Sequence, residues 1–220
     1  MISETTNEDC MQMMARYPDK WFELACVDPP YGLGQRVTNG GQRANSLTAF
    51  KKELASKRWD DATPSLAYFT ELFRVSKNQI IWGGNYFPLP PTRCVIAWDK
   101  MTYIPTMSQI EVAWTSFDSP ARMMTVNSNN SNRIHPTQKP VALYKWLITN
   151  YAKQGDKILD THLGSGSSRI AAWDLGFDFY GCELDEDYFR EGNERFERHR
   201  AQPKLFAPEI EQPKQTSFLD

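Results

Sequence analysis

The sequence predicts an α/β protein built on a mixed, mostly parallel sheet of seven strands, with helices on both faces. Three observations predict it. Short apolar runs alternate with amphipathic segments of helical period along most of the chain. One run, Leu24-Ala25-Cys26-Val27, is continuously apolar, as in a strand covered on both faces, and stops at Asp28. A second, Ile158-Leu159, stops at Asp160 and runs into a glycine-rich turn and a helix. In open α/β sheets, ligands bind at the carboxyl ends of the strands, where these two acids stand.

Taken in order, Met1 to Thr6 reads as a strand. Asn7-Glu8-Asp9 is a capping signal for a helix over Cys10 to Tyr17, with Met11 and Met14 inward. Trp21 to Val27 is the strand that delivers Asp28-Pro29-Pro30-Tyr31. Two prolines stiffen that turn, because each ring locks φ and biases the residue before it to extended geometry. An acid, a rigid carbonyl-rich turn and a ring then suit a flat polar molecule. Residues 32–61 contain Gly32, Gly34, Gly40 and Gly41 together with Arg36, Arg43, Lys51, Lys52, Lys57 and Arg58. They are expected to form a mobile basic loop able to close over the turn. Thr63 to Val75 has Leu66, Phe69, Leu72 and Phe73 at helical spacing. Gln79 to Trp82, Cys94 to Trp98 and Ile110 to Trp114 are strands, each ending in tryptophan. Residues 99–134 are read as an insertion, with a loop from Pro120 that carries Arg122 and Arg133. Pro140 to Ala152 is a helix, Ile158 to Asp160 a strand, and Gly164 to Leu175 a turn into a helix. Phe179 to Cys182 is a strand ending in Glu183, and Asp187 to Arg200 a charged helix. Residues 1–200 are expected to form one domain, and 201–220, with three prolines, an extended tail.

Composition narrows the function classes. Hydrophobic residues make up 40% of 220 and aromatics 13%, enough for a substantial core. Net charge is −2, so a globally basic nucleic-acid binder is excluded, and any such partner must meet a local basic patch. The four cysteines, Cys10, Cys26, Cys94 and Cys182, show no CxxC spacing. They read as buried free thiols rather than a metal site. No apolar run approaches a membrane span, and a soluble cytoplasmic protein is expected.

The chemistry sits in three stretches. Gly164 and Gly166, in Asp160-Thr161-His162-Leu163-Gly164-Ser165-Gly166-Ser167, let the backbone approach a ligand closely, at a helix start with free amides. The spacing lacks both the later glycine of a dinucleotide fingerprint and the lysine of a P-loop. Glu183 follows at the distance of an acid that takes ribose hydroxyls. A nucleoside cofactor without a pyrophosphate grip is therefore expected, and an adenosyl group with a charged amino-acid tail fits. The remaining stretch, His135-Pro136-Thr137-Gln138-Lys139-Pro140, leads into a helix.

Together these stretches resemble the amino-group DNA methyltransferases that use S-adenosyl-L-methionine. The order, DPPY ahead of HPTQKP ahead of HLGSGS, is similar to the permuted, beta-type class of adenine N6 enzymes with a Rossmann-like domain, especially small phage or prophage ones. The resemblance implies that Asp28, Pro29, Pro30 and Tyr31 are catalytic. It implies that Asp9, Cys10, Asp28, Thr137, Lys139, Asp160, His162, Gly164, Ser165, Gly166, Ser167 and Glu183 hold the cofactor, with Asp9 on the adenine amine and Glu183 on the ribose. It implies DNA as partner, bound by Arg36, Arg43, Lys51, Lys52, Lys57, Arg58, Arg122 and Arg133, with no metal and no membrane. A homodimer is left open. Many members have Phe where this chain has His162 and Pro where it has Thr161, and no long target-recognition domain is visible.

The expected reaction is methylation of the N6 amine of an adenine flipped out of the duplex. Asp28 and the Pro29 carbonyl would accept the amine hydrogens while Tyr31 stacks on the ring. The alternatives are cytosine N4 methylation, where the family tends to have Ser in place of Asp28, a catalytically silent DNA-binding module, and a nicotinamide dehydrogenase.

Overall fold

The computed structural model describes residues 1–33, 60–102, 108–128, 134–135 and 137–202. The cations at positions 36, 43, 51, 52, 57, 58 and 133, and nearly all of the expected tail, lie outside the described residues.

One sheet runs through the described residues, in the order β1-β8-β7-β2-β3-β5-β4-β6. The strands are β1 (Ser3–Asn7), β2 (Phe22–Val27), β3 (Ser76–Trp82), β4 (Val95–Asp99), β5 (Ile110–Thr115), β6 (Arg122–Thr125), β7 (Lys157–Asp160) and β8 (Asp178–Glu183). All pairings are parallel except those of β5 with β3 and with β4. The helices are α1 (Cys10–Ala15), α2 (Leu66–Val75), α3 (Val141–Tyr151), α4 (Ser167–Leu175) and α5 (Glu186–Arg200).

Strand alternation divides the core into two layers. Leu24 and Cys26 of β2 and Ile80 and Trp82 of β3 face α3 and α4, joining Leu143, Leu147, Ile148, Ala171 and Ala172. Their neighbours Ala25, Val27 and Ile81 face α1 and α2, in the layer that holds Phe22, Met13, Met14, Phe69, Leu72 and Val75. The helices thus cover both faces. α5 lies against α4, with Phe196 edge-on to Trp173 at 5.6 Å.

The sheet has eight strands, not seven. Arg122–Thr125, expected as loop, pairs in parallel with β4 from Ile96↔Arg122 to Asp99↔Thr125. This edge strand has only four residues and leaves Met123 64% exposed, so it carries no apolar alternation to read. Two inward faces also differ from expectation. Met13 joins Met14 in the buried core, and Met11, half-buried in the first turn with its amide tied to the Asp9 cap, packs against it. On α2, Tyr68 is buried and Leu66 is 67% exposed, because the helix starts only at Leu66, just after its Ser65 cap. Trp82 and Trp98 are fully interior, while Trp114 is half-buried.

Candidate active site

β2 is buried on both faces and ends at Val27, so Asp28 emerges at the carboxyl edge of the sheet centre. Its Oδ1 accepts a hydrogen bond from the Tyr31 hydroxyl at 2.7 Å, and its Oδ2 one from the Lys139 ammonium at 2.6 Å. The Tyr31 ring stacks on Tyr86 at 5.0 Å between centroids and 16° between planes. Gly83 makes room for it: at φ 70°, a Cβ there would stand 2.2 Å from the ring. The turn is tied down from behind by Asp60. Tyr31 N and Gly32 N donate to its Oδ1 at 2.6 and 2.9 Å, and Leu33 N to its Oδ2 at 3.1 Å.

Lys139 also reaches Glu111 Oε2 at 3.1 Å, and Glu111 Oε1 takes the Lys100 ammonium at 3.1 Å. Burial pushes the Asp28 carboxyl above its ordinary range, with Lys139 opposing and Glu111 adding to the rise. Burial would raise Glu111 too, but Lys139 and Lys100 hold it below the ordinary range. Burial would lower Lys139, and the two carboxylates instead hold it above its ordinary value, so it remains a cation.

Beside this turn lies a cleft of ≈ 450 Å³ between the ends of β2, β7 and β8. Its walls include Asp9, Cys10, Asp28, Thr137, Lys139, His162, Gly164, Ser165, Ser167 and Glu183. Glu183 accepts the amides of Gly164 at 2.8 Å and Asp185 at 3.0 Å, one on each oxygen. Each oxygen keeps a lone pair for a hydroxyl donor. Asp9 caps α1 through Oδ1, which accepts the Met11 amide at 2.8 Å. Burial and the neighbouring Asp9 push the Cys10 thiol up to about 11, so it stays protonated. Gly164 and Gly166 both have positive φ, at 49° and 70°, and Gly166 starts α4, whose first amides point to the loop. Gln138 lines the cleft, and its buried Nε2 has no partner among the described residues. An acid for an amine, an acid for a diol, a glycine cradle and an unspent amide donor suit S-adenosyl-L-methionine.

The structure brings together most of the residues expected at the site. Asp160 and Gly166 are exceptions, since neither lines the cleft. Asp160 is 1% exposed and accepts the His162 amide and the Ser168 hydroxyl, with burial raising its carboxyl to about 7. It therefore shapes the loop rather than facing a ligand. Arg122 is not gathered in. It opens β6, which runs parallel to β4, at the end of the sheet away from Asp28, and bonds Asn150 Oδ1 at 2.7 Å. The sequence reading missed Asp60, Glu111, Tyr86 and Gly192. A Cβ at Gly192 would lie 3.1 Å from Gly164 O, a tight contact, so the glycine eases the close approach of α5 to the loop. It also missed Arg195, which donates to Ser165 O at 2.7 Å and Ser167 Oγ at 2.9 Å. No local motif marks these residues, because each acts through a contact distant in sequence.

A mostly parallel α/β sheet with an acidic turn beside a nucleoside-sized cleft defines a nucleotide-type ligand site of the α/β class. The chain belongs to the N6_N4_Mtase family, described as DNA methylase, whose pattern matches residues 81–194. YubD of Escherichia coli (strain K12), a protein presumed to be a methylase, is 24% identical over 88% of this chain and 90% of its own. The type II methyltransferase M2.DpnII of Streptococcus pneumoniae is 27% identical over 66% of this chain, and this chain spans 52% of its length. Among solved structures, M1.HpyAVI in a SAM complex is similar at a TM-score of 0.55 and 18% identity, covering 89% of this chain and 100% of that one. The cytosine-N4-specific PvuII DNA methyltransferase is similar at 0.61 and 11%, covering 94% and 88%. At these identities the structural likeness concerns the fold.

Proposed function

We propose that this protein transfers a methyl group from S-adenosyl-L-methionine to the N6 amine of an adenine extruded from DNA, as a permuted, beta-type enzyme. The observation that carries this reading is Asp28, held at the carboxyl end of β2 between a stacked aromatic pair and the cofactor-sized cleft. When bound, S-adenosyl-L-methionine supplies an electrophilic methyl group on a sulfonium.

An adenine amine is a poor nucleophile because its lone pair is delocalised into the ring. Asp28 Oδ1 and the Pro29 carbonyl accept its two hydrogens and draw the lone pair out of conjugation. Tyr31 stacks on the extruded base, a contact worth ~1–3 kcal/mol. Glu183 and Asp9 hold the ribose and adenine ends of the cofactor, and the glycine loop with Gln138 and Thr137 its amino-acid end. Once the methyl is on nitrogen, the excess proton leaves N6, and Asp28 is the adjacent acceptor, its raised affinity for protons following from burial. The chain's contribution is alignment more than covalent chemistry.

The N6 assignment rests on an acid at position 28. Cytosine N4 is the second reading, and the family covers both amines. Labelled methyl incorporation into DNA by wild type but not by Asp28→Asn tests the reaction. An equally active D28N would remove Asp28 from the chemistry.

A further inference from the structure

We infer that Lys139 and Glu111 are positioning residues for Asp28: Lys139 holds Oδ2, leaving Oδ1 as the oxygen offered to the target amine. This deepens the methyltransferase reading and rests on it. Lys139 was expected at the cofactor, and it does line the cleft, but its valences are spent elsewhere. An ammonium has three hydrogens. Lys139 donates to Asp28 Oδ2 at 2.6 Å and to the Tyr31 hydroxyl at 3.3 Å, and forms an ion pair with Glu111 Oε2 at 3.1 Å. The side chain is 2% exposed and its nitrogen stands 5.3 Å from the Trp82 ring centroid and 5.7 Å from that of Tyr31. Its bonds and its ion pair are thus with the turn and Glu111.

Glu111 is fixed in turn. β5 is antiparallel to β3, so its first residues lie at the same end of the sheet as Asp28. Glu111 pairs across the strands with Trp98, and its second oxygen is bound by Lys100. The result is a row of alternating charges, Asp28, Lys139, Glu111 and Lys100, spanning the ends of β2 to β4.

The row has a chemical purpose. Burial favours a protonated Asp28, and a protonated carboxyl is a poor acceptor for an amine hydrogen. The groups facing Asp28 are Tyr31 in its own turn, Cys26 on β2, Asp160 at the end of β7, Tyr144 on α3, Glu111 on β5 and Lys139. Lys139 is the one cation among these described groups. Its bond to Oδ2 also fixes the carboxylate plane, so the incoming amine meets Oδ1 by displacing the Tyr31 hydroxyl, whose other bond is the long one from Lys139 at 3.3 Å.

The test uses single-turnover methyl transfer from S-adenosyl-L-methionine to PCR-amplified, hence unmethylated, DNA across a pH series, with calorimetry for cofactor affinity. Lys139→Met should slow transfer about 100-fold. It should move the acid limb of the rate profile to higher pH by about one unit or more. Cofactor Kd should change by less than about threefold. Glu111→Gln should slow transfer less, and adding it to K139M should cost nothing further, because Glu111 acts through Lys139. K139M with a wild-type rate and acid limb overturns the inference. So does K139M with cofactor binding weakened more than about tenfold and an unchanged rate at saturating cofactor, which makes Lys139 a cofactor ligand. If K139M does not fold, E111Q decides, and an unaltered rate and pH profile in E111Q overturns the inference. Wild type that methylates no DNA at all overturns the underlying reading instead, and the inference with it.

Discussion

Burial lowers the pKa of His162 from the ordinary 6.5 to about 4. The ring is therefore neutral at physiological pH, an aromatic wall edge-on to Tyr68 at 5.3 Å, with Nδ1 bonded to Thr161 Oγ1 at 3.0 Å. The sign of its effect on stability follows. Between the two pKa values the unfolded chain takes up a proton that the folded chain refuses. Stability is present above the unfolded value and drains as pH falls toward the folded one. His162→Phe should remove that drain. Thermal melts should show the variant gaining on wild type at about pH 5 relative to pH 8, with cofactor affinity within about threefold. An unchanged pH dependence would place the acid sensitivity in another group. Asp28 carries a second prediction. D28N should abolish transfer while cofactor Kd changes only a few-fold, and calorimetry showing lost binding would move Asp28 to the cofactor. Asn is preferred to Ala because Lys139 would otherwise lose a buried partner, a loss of about 3–5 kcal/mol in such pairs.

Two connections between elements fix the loops that meet at the site. Gly192 lets α5 close on the glycine loop, and Gly192→Val should force the two apart. Cofactor affinity should fall at least about tenfold while the rate at saturating cofactor falls less; unaltered affinity would mean that the loop is set by α4 alone. Asp60 ties three successive amides, from Tyr31 at the end of the tetrapeptide to Leu33, and Asp60→Ala should slow transfer with little change in cofactor Kd. These contacts also show where the sequence was legible. β2, β7 and β8 announce themselves by apolar runs ending in Asp28, Asp160 and Glu183, because a buried strand must give up polarity and its end need not. The glycines of the loop were legible for the same reason, since positive φ at Gly164 and Gly166 leaves few other residues. β6 was not legible, because a short edge strand needs no apolar face. Glu111 and Lys100 were not either: as charged residues they read as surface, and only the sheet order reveals the ammonium between them. Lys139 was placed at the cofactor because its motif is, and the structure shows its bonds going to Asp28.

Across the molecule, the carboxyl ends of β2, β7 and β8 converge on one rim, and β1 extends the sheet beyond β8, so residues from both chain ends build one cleft. In the proposed reaction DNA approaches that rim although net charge is −2. Phosphate contacts dominate such affinity, so cations have to be concentrated near the catalytic turn. Arg122 lies at the opposite end of the sheet. Lys51, Lys52, Lys57 and Arg58 follow the turn in sequence, outside the described residues, and we propose them as phosphate contacts. Neutralising all four should lower the salt slope of DNA binding by up to ~3.6, at ~0.9 per contact, with cofactor affinity unaltered. An unchanged slope would assign the contacts elsewhere. The most direct measurement of the central claim is nucleoside analysis. Unmethylated DNA is incubated with the wild-type protein and S-adenosyl-L-methionine, digested, and resolved by mass spectrometry. N6-methyladenine in the wild-type digest, absent with D28N, is the expected result. N4-methylcytosine, or no methylated nucleoside at all, would contradict the assignment of Asp28 to an adenine amine.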